Sequence, residues 1–376
     1  MSDDETLAAW AYLSRVAEPP CPDLSALAAR VGPVEAARRI RAGRVGGDLA
    51  RRTEARRGID CAAEDLAVLG RLGGRLVTAD DPEWPVLALA SFDGVDALLR
   101  PRADPPMVLW AAGPGRLDDV SQRASAIVGT RAATAYGEHV AADLAAGLAA
   151  RDVAVVSGGA YGIDGAAHRA ALASDGLTVA VLAGGVDVPY PAGHAALLHR
   201  VGAQGLLVSE YPPGVRPARH RFLTRNRLVA ALAGATVVVE AGLRSGAANT
   251  AAWGRALGRV VCAVPGPVTS SASAGCHALL RSGAELVTRA EEIVELVGRA
   301  GELAPDERRP ASPLDALTEA EQHVYEALPA RGLRTVDEIA VASGLGPSEV
   351  LVPLTTLEVA GLVVRQDGRW KLGERV

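Results

Sequence analysis

Six short apolar runs, each followed by small or turn-forming residues, constrain this chain more than any other feature. They are Ala126–Val128, Val153–Val156, Thr178–Leu182, Leu206–Val208, Thr236–Val239 and Val260–Val264. Between most of them lie segments long enough for a helix, and the first carries Tyr136, Val140, Leu144 and Leu148 on one face at i, i+4. Runs that are apolar throughout suit strands buried on both faces. Their alternation with amphipathic helices predicts an α/β fold with a doubly wound parallel sheet. The residues after each run (Gly129-Thr130, Ser157-Gly158-Gly159, Gly184-Gly185, Ser209, Glu240-Ala241-Gly242 and Pro265-Gly266-Pro267) then collect at the carboxyl edge, where ligands bind in such sheets.

At 376 residues the chain is long for one domain. Residues 1–70 read as a small helical domain of the SAM or helix-hairpin kind. Leu24, Leu27, Ala28 and Val31 repeat at helical spacing, Gly32-Pro33 interrupts, and Val34–Ile40 resumes. The arginines at 38, 39, 41, 44, 51, 52, 56 and 57 have acidic neighbours, so they read as a solvated face. Residues 71–298 form the main domain, with the proline-rich part before 122 read as lead-in strands and loops. Gly301, Pro305, Pro310 and Pro313 mark a linker over 299–313. Beyond it, 314–376 read as three short helices and a hairpin turning at Asp367-Gly368, a winged-helix-like pattern. The third of these helices has no Arg or Lys, so it is not read as a helix that recognises bases in a major groove.

The net charge is −5, yet five arginines and His220 fall between Arg216 and Arg227, with no Asp or Glu from 211 to 239. A solvated arginine-rich loop would account for charge alone. Phe222, one of only two phenylalanines, lies inside the run, and Arg225-Asn226-Arg227 leads into apolar Leu228–Leu232, which predicts that those arginines open a helix. Guanidiniums with an aromatic among them suit a polyanion with stackable rings, which is single-stranded nucleic acid. Gly129-Thr130-Arg131 at a strand-to-helix turn has the makings of an anion seat. Lys371 is the only lysine, so every earlier phosphate contact that uses a permanent cation must use arginine.

Other chemistry is weakly represented. Ser157-Gly158-Gly159-Ala160-Tyr161-Gly162 is not a dinucleotide fingerprint. Asp164 and His168 stand at i, i+4, but without a nucleophile or metal set they read as a helix cap and a site-wall hydrogen bond. His194 and His199 do not share a helical face, and Cys21, Cys61, Cys262 and Cys276 form no CxxC pair. No metal, cofactor or catalytic residue is expected. The acidic start of the chain has no apolar stretch of signal-peptide type, and no membrane-length span is visible, so a cytoplasmic protein without membrane contact is expected.

Taken in order, Ala126-Ile-Val-Gly-Thr-Arg131, Val156–Asp164 with Ala167-His168, Gly185–Pro191, Ser209–Pro212, Phe222–Arg227, Glu240 with Ser245-Gly246, and Val264-Pro-Gly266 resemble the DNA-processing protein A (DprA/Smf) family. The resemblance covers the main domain most closely. It implies a Rossmann-like domain that binds single-stranded DNA without sequence preference, forms a homodimer and loads the RecA recombinase onto DNA during natural transformation. Carried over residue by residue, it gives Arg131, Arg219, Phe222, Arg225, Asn226 and Arg227 as DNA contacts. The turns at Gly129, Thr130, Gly158, Gly159, Ser245 and Gly246 complete the set. Leu223 and Cys276 depart from the family, which commonly has proline and asparagine there. The alternative is a Rossmann-like nucleotide-processing hydrolase, for which Glu240 is the available acid.

Overall fold

The computed structural model describes residues 3–96, 103–305 and 314–373 and divides into two compact units after Ala304. The expected linker over 299–313 lies outside the described residues from 306 onward. In the first unit a nine-stranded sheet contains Gly74–Val77 (β1), Leu109–Ala112 (β2), Ala124–Val128 (β3), Ala154–Ser157 (β4), Thr178–Leu182 (β5), Leu206–Ser209 (β6), Ala235–Val238 (β7), Val260–Ala263 (β8) and Glu285–Leu286 (β9). Their spatial order is β1-β2-β6-β5-β4-β3-β7-β8-β9. Pairing is parallel from β6 to β9, while β1 and β2 form an antiparallel margin on β6.

The chain winds from β3 through β6 in one direction and then returns to place β7 on the other side of β3. The helices that follow β3 and β7 therefore pack on opposite faces of the sheet, and a crevice lies at this edge, as expected at the switch point of a doubly wound sheet. Successive strand residues face opposite layers. Ile127, Val155 and Val237 pack with helices Ala135–Ala149, Ile163–Ala173 and Ala290–Val297, while Ala126, Val156 and Val238 pack with helices Arg219–Ala231 and Gly246–Ala256.

Five helices (Asp3–Val16, Pro22–Val31, Pro33–Arg41, Gly47–Glu54 and Ala62–Arg71) precede the sheet. Tyr12, Leu13, Leu24 and Ile40 share one core with Trp110 of β2, Ala180 of β5 and Leu198. The helical segment thus closes over the β2-β6-β5 side of the sheet within the same compact unit.

The second unit carries helices Glu319–Glu326, Val336–Ser343 and Pro347–Val359, then strands Val363–Gln366 (β10) and Arg369–Leu372 (β11). Thr318 and Thr335 open the first two helices as reciprocal caps with Glu321 and Glu338. Asp367 and Gly368 both take positive φ, 50° and 76°, as a tight hairpin turn requires. Val324, Ile339, Leu354, Leu357 and Trp370 form the core, and Arg334 and Trp370 exchange backbone hydrogen bonds of 2.9 and 2.8 Å. Among the described residues no single helix is long and apolar enough to cross a membrane.

Candidate nucleic-acid interface

Three loops at the carboxyl edge are fastened to one another by main-chain contacts. The Thr130 amide donates to the Glu240 carbonyl at 2.7 Å, and the Ile163 amide donates to the Thr130 carbonyl at 3.3 Å. Gly162 has φ +71°, and a Cβ on it would lie 2.3 Å from the Thr130 oxygen, so only glycine allows this approach. The Glu240 carboxylate accepts from the Thr134 amide at 2.9 Å and from its hydroxyl at 2.6 Å, and the same hydroxyl caps helix Ala135–Ala149. This stitching leaves Arg131 exposed at the rim of the crevice.

The opposite wall is helix Arg219–Ala231. It begins six residues before Arg225, so the expectation that Arg225-Asn226-Arg227 opens the helix is corrected. These three residues lie in its second and third turns and face inward, with exposures of 6, 7 and 0%. Arg227 donates through Nη2 to both oxygens of Glu210, at 2.6 and 2.7 Å, and its guanidinium stands 5.4 Å from the Phe92 ring centre. A guanidinium so enclosed cannot meet a phosphate, and Arg227 is removed from the DNA-contacting set. Arg225 donates to the Val181 carbonyl at 3.0 Å and forms part of the crevice floor. Burial lowers its pKa, which Asp164 opposes. Asn226 donates to Asn249 at 3.1 Å and to the Gly246 carbonyl at 3.3 Å.

The turn after β4 also differs from expectation. A Cβ on Gly158 would lie 1.7 Å from Arg225 Nη1, so that guanidinium covers the turn that was to face phosphate. Gly159 is buried with φ +70° and faces Leu198. Both glycines shape the wall behind the crevice and do not line it. Asp164 accepts from the Gly158 and Ala160 amides at 3.2 and 3.3 Å, so it ties down the preceding turn rather than capping its own helix. Burial raises its pKa, an effect opposed by Arg225. His168 is fully buried 2.7 Å from Thr178 Oγ1, and burial pushes its pKa down to about 3. It cannot reach a substrate as an acid or base.

The crevice encloses about 890 Å³ and is lined by Gly129, Thr130, Arg131, Arg219, Phe222, Ser245 and Gly246 among others. Phe222 is half-buried, with the Arg131 guanidinium 5.1 Å from its ring centre. Ser245 caps helix Gly246–Ala256 by accepting from the Ala248 amide at 3.2 Å. Two contributors were not singled out from the sequence. Tyr190, 45% exposed, places its ring 5.4 Å from that of Phe222, and Arg244 is exposed on the far rim. Tyr190 lies inside the quoted Gly185–Pro191 motif, so its position was visible but its pairing across 32 residues was not. Arg131, Arg219 and Arg244 have no carboxylate partner among the described residues.

The two departures from the family pattern are accommodated. Leu223 sits exposed at the crevice rim. Cys276 is fully buried with its Sγ 3.5 Å from the Val238 and Val239 carbonyls, and burial raises its thiol to about 11. All four cysteines are free, and among the described residues no group of three or more His, Cys, Asp and Glu side chains could hold a metal ion.

Comparison with known proteins identifies the family. The family model of DNA recombination-mediator protein A matches residues 75–298, and that of the DprA winged helix domain matches residues 308–369. A protein named as DNA processing protein DprA in Mycobacterium tuberculosis is 73% identical over 369 residues, covering 98% of this chain and 95% of its own. Protein Smf of Escherichia coli is 36% identical over 302 residues, 78% of this chain and 76% of that one. The X-ray structure of DprA from Streptococcus pneumoniae superposes with a TM-score of 0.62 at 28% identity, covering 79% of this chain and 99% of that one. The Helicobacter pylori protein, solved for its single-stranded DNA binding mode, gives 0.50 at 28% identity over 58% of this chain and 94% of its own. With its main domain matched throughout and a 73% identical relative covered almost end to end, the chain belongs to the DNA recombination-mediator protein A (DprA/Smf) family.

Proposed function

We propose that this protein binds single-stranded DNA without sequence preference and acts in the cytoplasm as a homodimeric recombination mediator that loads RecA onto DNA during natural transformation. The observation that carries the reading is the juxtaposition of Phe222 with Arg131, Arg219 and Arg244 around one crevice. An aromatic face stacks on any base, and guanidiniums without acid partners are left to donate to backbone phosphates. Base-specific recognition needs amide or guanidinium groups aimed at base edges. Asn226, the amide in the basic run, is occupied with Asn249 and the Gly246 carbonyl. One crevice per chain holds a short stretch of strand, and pairing two crevices on one strand raises avidity without new chemistry. The Helicobacter pylori relative's single-stranded DNA binding supports the same reading.

No observation favours the hydrolase alternative. Glu240, the acid it requires, is 2% exposed and holds Thr134. Fluorescence anisotropy with oligo-dT, a mixed-sequence single strand and its duplex tests the binding. Equal affinity for duplex and single strand would refute it. Mediation is read as a shorter lag in RecA ATPase on strands already coated with a single-strand-binding protein, and an unchanged lag excludes it. Sedimentation at micromolar concentration reports the dimer.

A further inference from the structure

We propose that a second phosphate site for the same strand lies in the pocket between the N-terminal helical segment and the basic run. It rests on the single-stranded DNA reading above. The segment 216–222 is a partition with two sides. Pro217, Ala218, Arg219 and Phe222 line the crevice, whereas Arg216 and Arg221 line a separate cavity of about 290 Å³. The far wall of that cavity includes Arg15, Glu18 and Arg56 from the N-terminal helices.

The charges there do not cancel. Arg15 is neutralised by Asp65 at 2.6 Å, and Asp187 is a further acid near that pair, held on the Gly214 amide at 2.8 Å, so the surplus rests on Arg56, Arg216 and Arg221 together. Glu18 alone serves three partners: it accepts from Arg221 at 2.6 and 3.0 Å, lies 3.1 Å from His220 Nε2, and accepts from Arg56 at 3.1 Å. One carboxylate between two guanidiniums leaves one positive charge over. Arg216 adds another: it is exposed, has no carboxylate partner among the described residues, and uses its carbonyl, not its guanidinium, to hold Arg221 at 2.6 Å. Behind the wall Arg52 donates to the carbonyls of Glu18 and Pro20, at 2.9 and 2.7 Å, and so keeps its charge as well. Glu18 thus orients Arg56 and Arg221 without exhausting them, and charge-assisted contacts to an oxyanion are the strong ones available to such a cluster. Because the two cavities share one short wall, a strand leaving the crevice past Arg219 meets Arg216 next.

The test is a salt titration of binding to an oligo-dT length series, comparing the wild type with R216A, R216E and R56A. Among the described residues the Arg216 guanidinium makes no hydrogen bond, and its carbonyl, which holds Arg221, is kept in R216A, so that variant is expected to fold normally; melting curves control for R56A. On strands long enough to leave the crevice, R216A should flatten the slope of log K against log salt by about 0.7, and R216E should flatten it further. On the shortest strand that still binds, R216A and wild type should coincide. Equal slopes at every length overturn the second site, and so does a loss already complete on the shortest strand, which would make Arg216 part of the crevice. Wild-type protein that binds no single strand of any length removes the DNA reading itself, and this inference with it.

Discussion

Arg227 and Glu210 form an ion pair with 2.6 and 2.7 Å contacts, inside the protein where Arg227 has no exposure and Glu210 has 4%. The pair joins helix Arg219–Ala231 to the end of β6 and anchors the wall that carries Phe222. Removing one partner of a buried pair strands the other charge, at a cost of about 3–5 kcal/mol. Arg227→Ala should therefore lower the unfolding free energy by that order. The salt slope of DNA binding by the folded fraction should match wild type. A flattened slope with unchanged melting would return Arg227 to the DNA-contacting set.

Arg131 is expected to behave in the opposite way. It is exposed and has no ion-pair partner among the described residues, so Arg131→Ala should leave melting within about 0.5 kcal/mol of wild type. The salt slope on single strands should flatten by about 0.7, the signature of one lost phosphate contact. Salt-titrated anisotropy alongside thermal melting separates the two arginines.

Phe222 supplies stacking rather than charge. Phe222→Ala should cost about 1–3 kcal/mol of binding at every salt concentration with the slope unchanged. Phe222→Tyr should restore most of it. Tyr190 stands close enough to Phe222 to hold its ring in place, and a Tyr190→Ala loss in the same sense would report that support. A salt-dependent loss for Phe222→Ala would exclude a stacking role.

Glu18 makes part of the protein's stability sensitive to acid. Burial opposes its ionisation, but hydrogen bonds and charge from Arg221, with His220 and Arg56, hold its pKa at about 2, below the usual 4.5. A depressed carboxylate contributes stability that is full above the unfolded value and is lost as pH falls towards the folded one. Wild type should therefore be more stable than Glu18→Gln at neutral pH, and the gap should close between pH 4.5 and 2. Paired melting curves across that range check it; a gap independent of pH would show that the carboxylate is not ionised in this contact.

The second unit should be dispensable for most single-strand affinity. Helix Pro347–Val359 contains no Arg or Lys and exposes Leu351, Val352 and Val359. Ending the chain at Ala304, where the first compact unit closes, should change the dissociation constant by less than tenfold, about 1.4 kcal/mol. A larger loss would mean that a cation beyond Ala304, such as Arg365, Arg369 or Lys371 on the hairpin, meets DNA.

Local pattern alone identified the six central strands, β3 to β8, and the edge at which their turns collect, but not the antiparallel margin β1-β2 or strand β9. Apolar runs such as Thr178–Leu182 are buried on both faces, so local pattern alone identifies them as central strands, and chain order then places their turns at one edge. The winged-helix pattern was equally local, resting on three short helical segments and one Asp367-Gly368 turn. What the sequence could not supply was which way each basic side chain points. Arg225 and Arg227 differ from Arg219 by their angle around one helix and by partners far along the chain: Val181 for Arg225, Glu210 for Arg227. The helix start, six residues earlier than the charge pattern suggested, turned both inward. Glu18 reaches Arg221 across 203 residues, and no local propensity encodes that contact. A guanidinium is a phosphate ligand or a buried strut according to what tertiary packing sets against it. Only the fold, by placing Glu210 beneath one arginine and open crevice before others, made that choice.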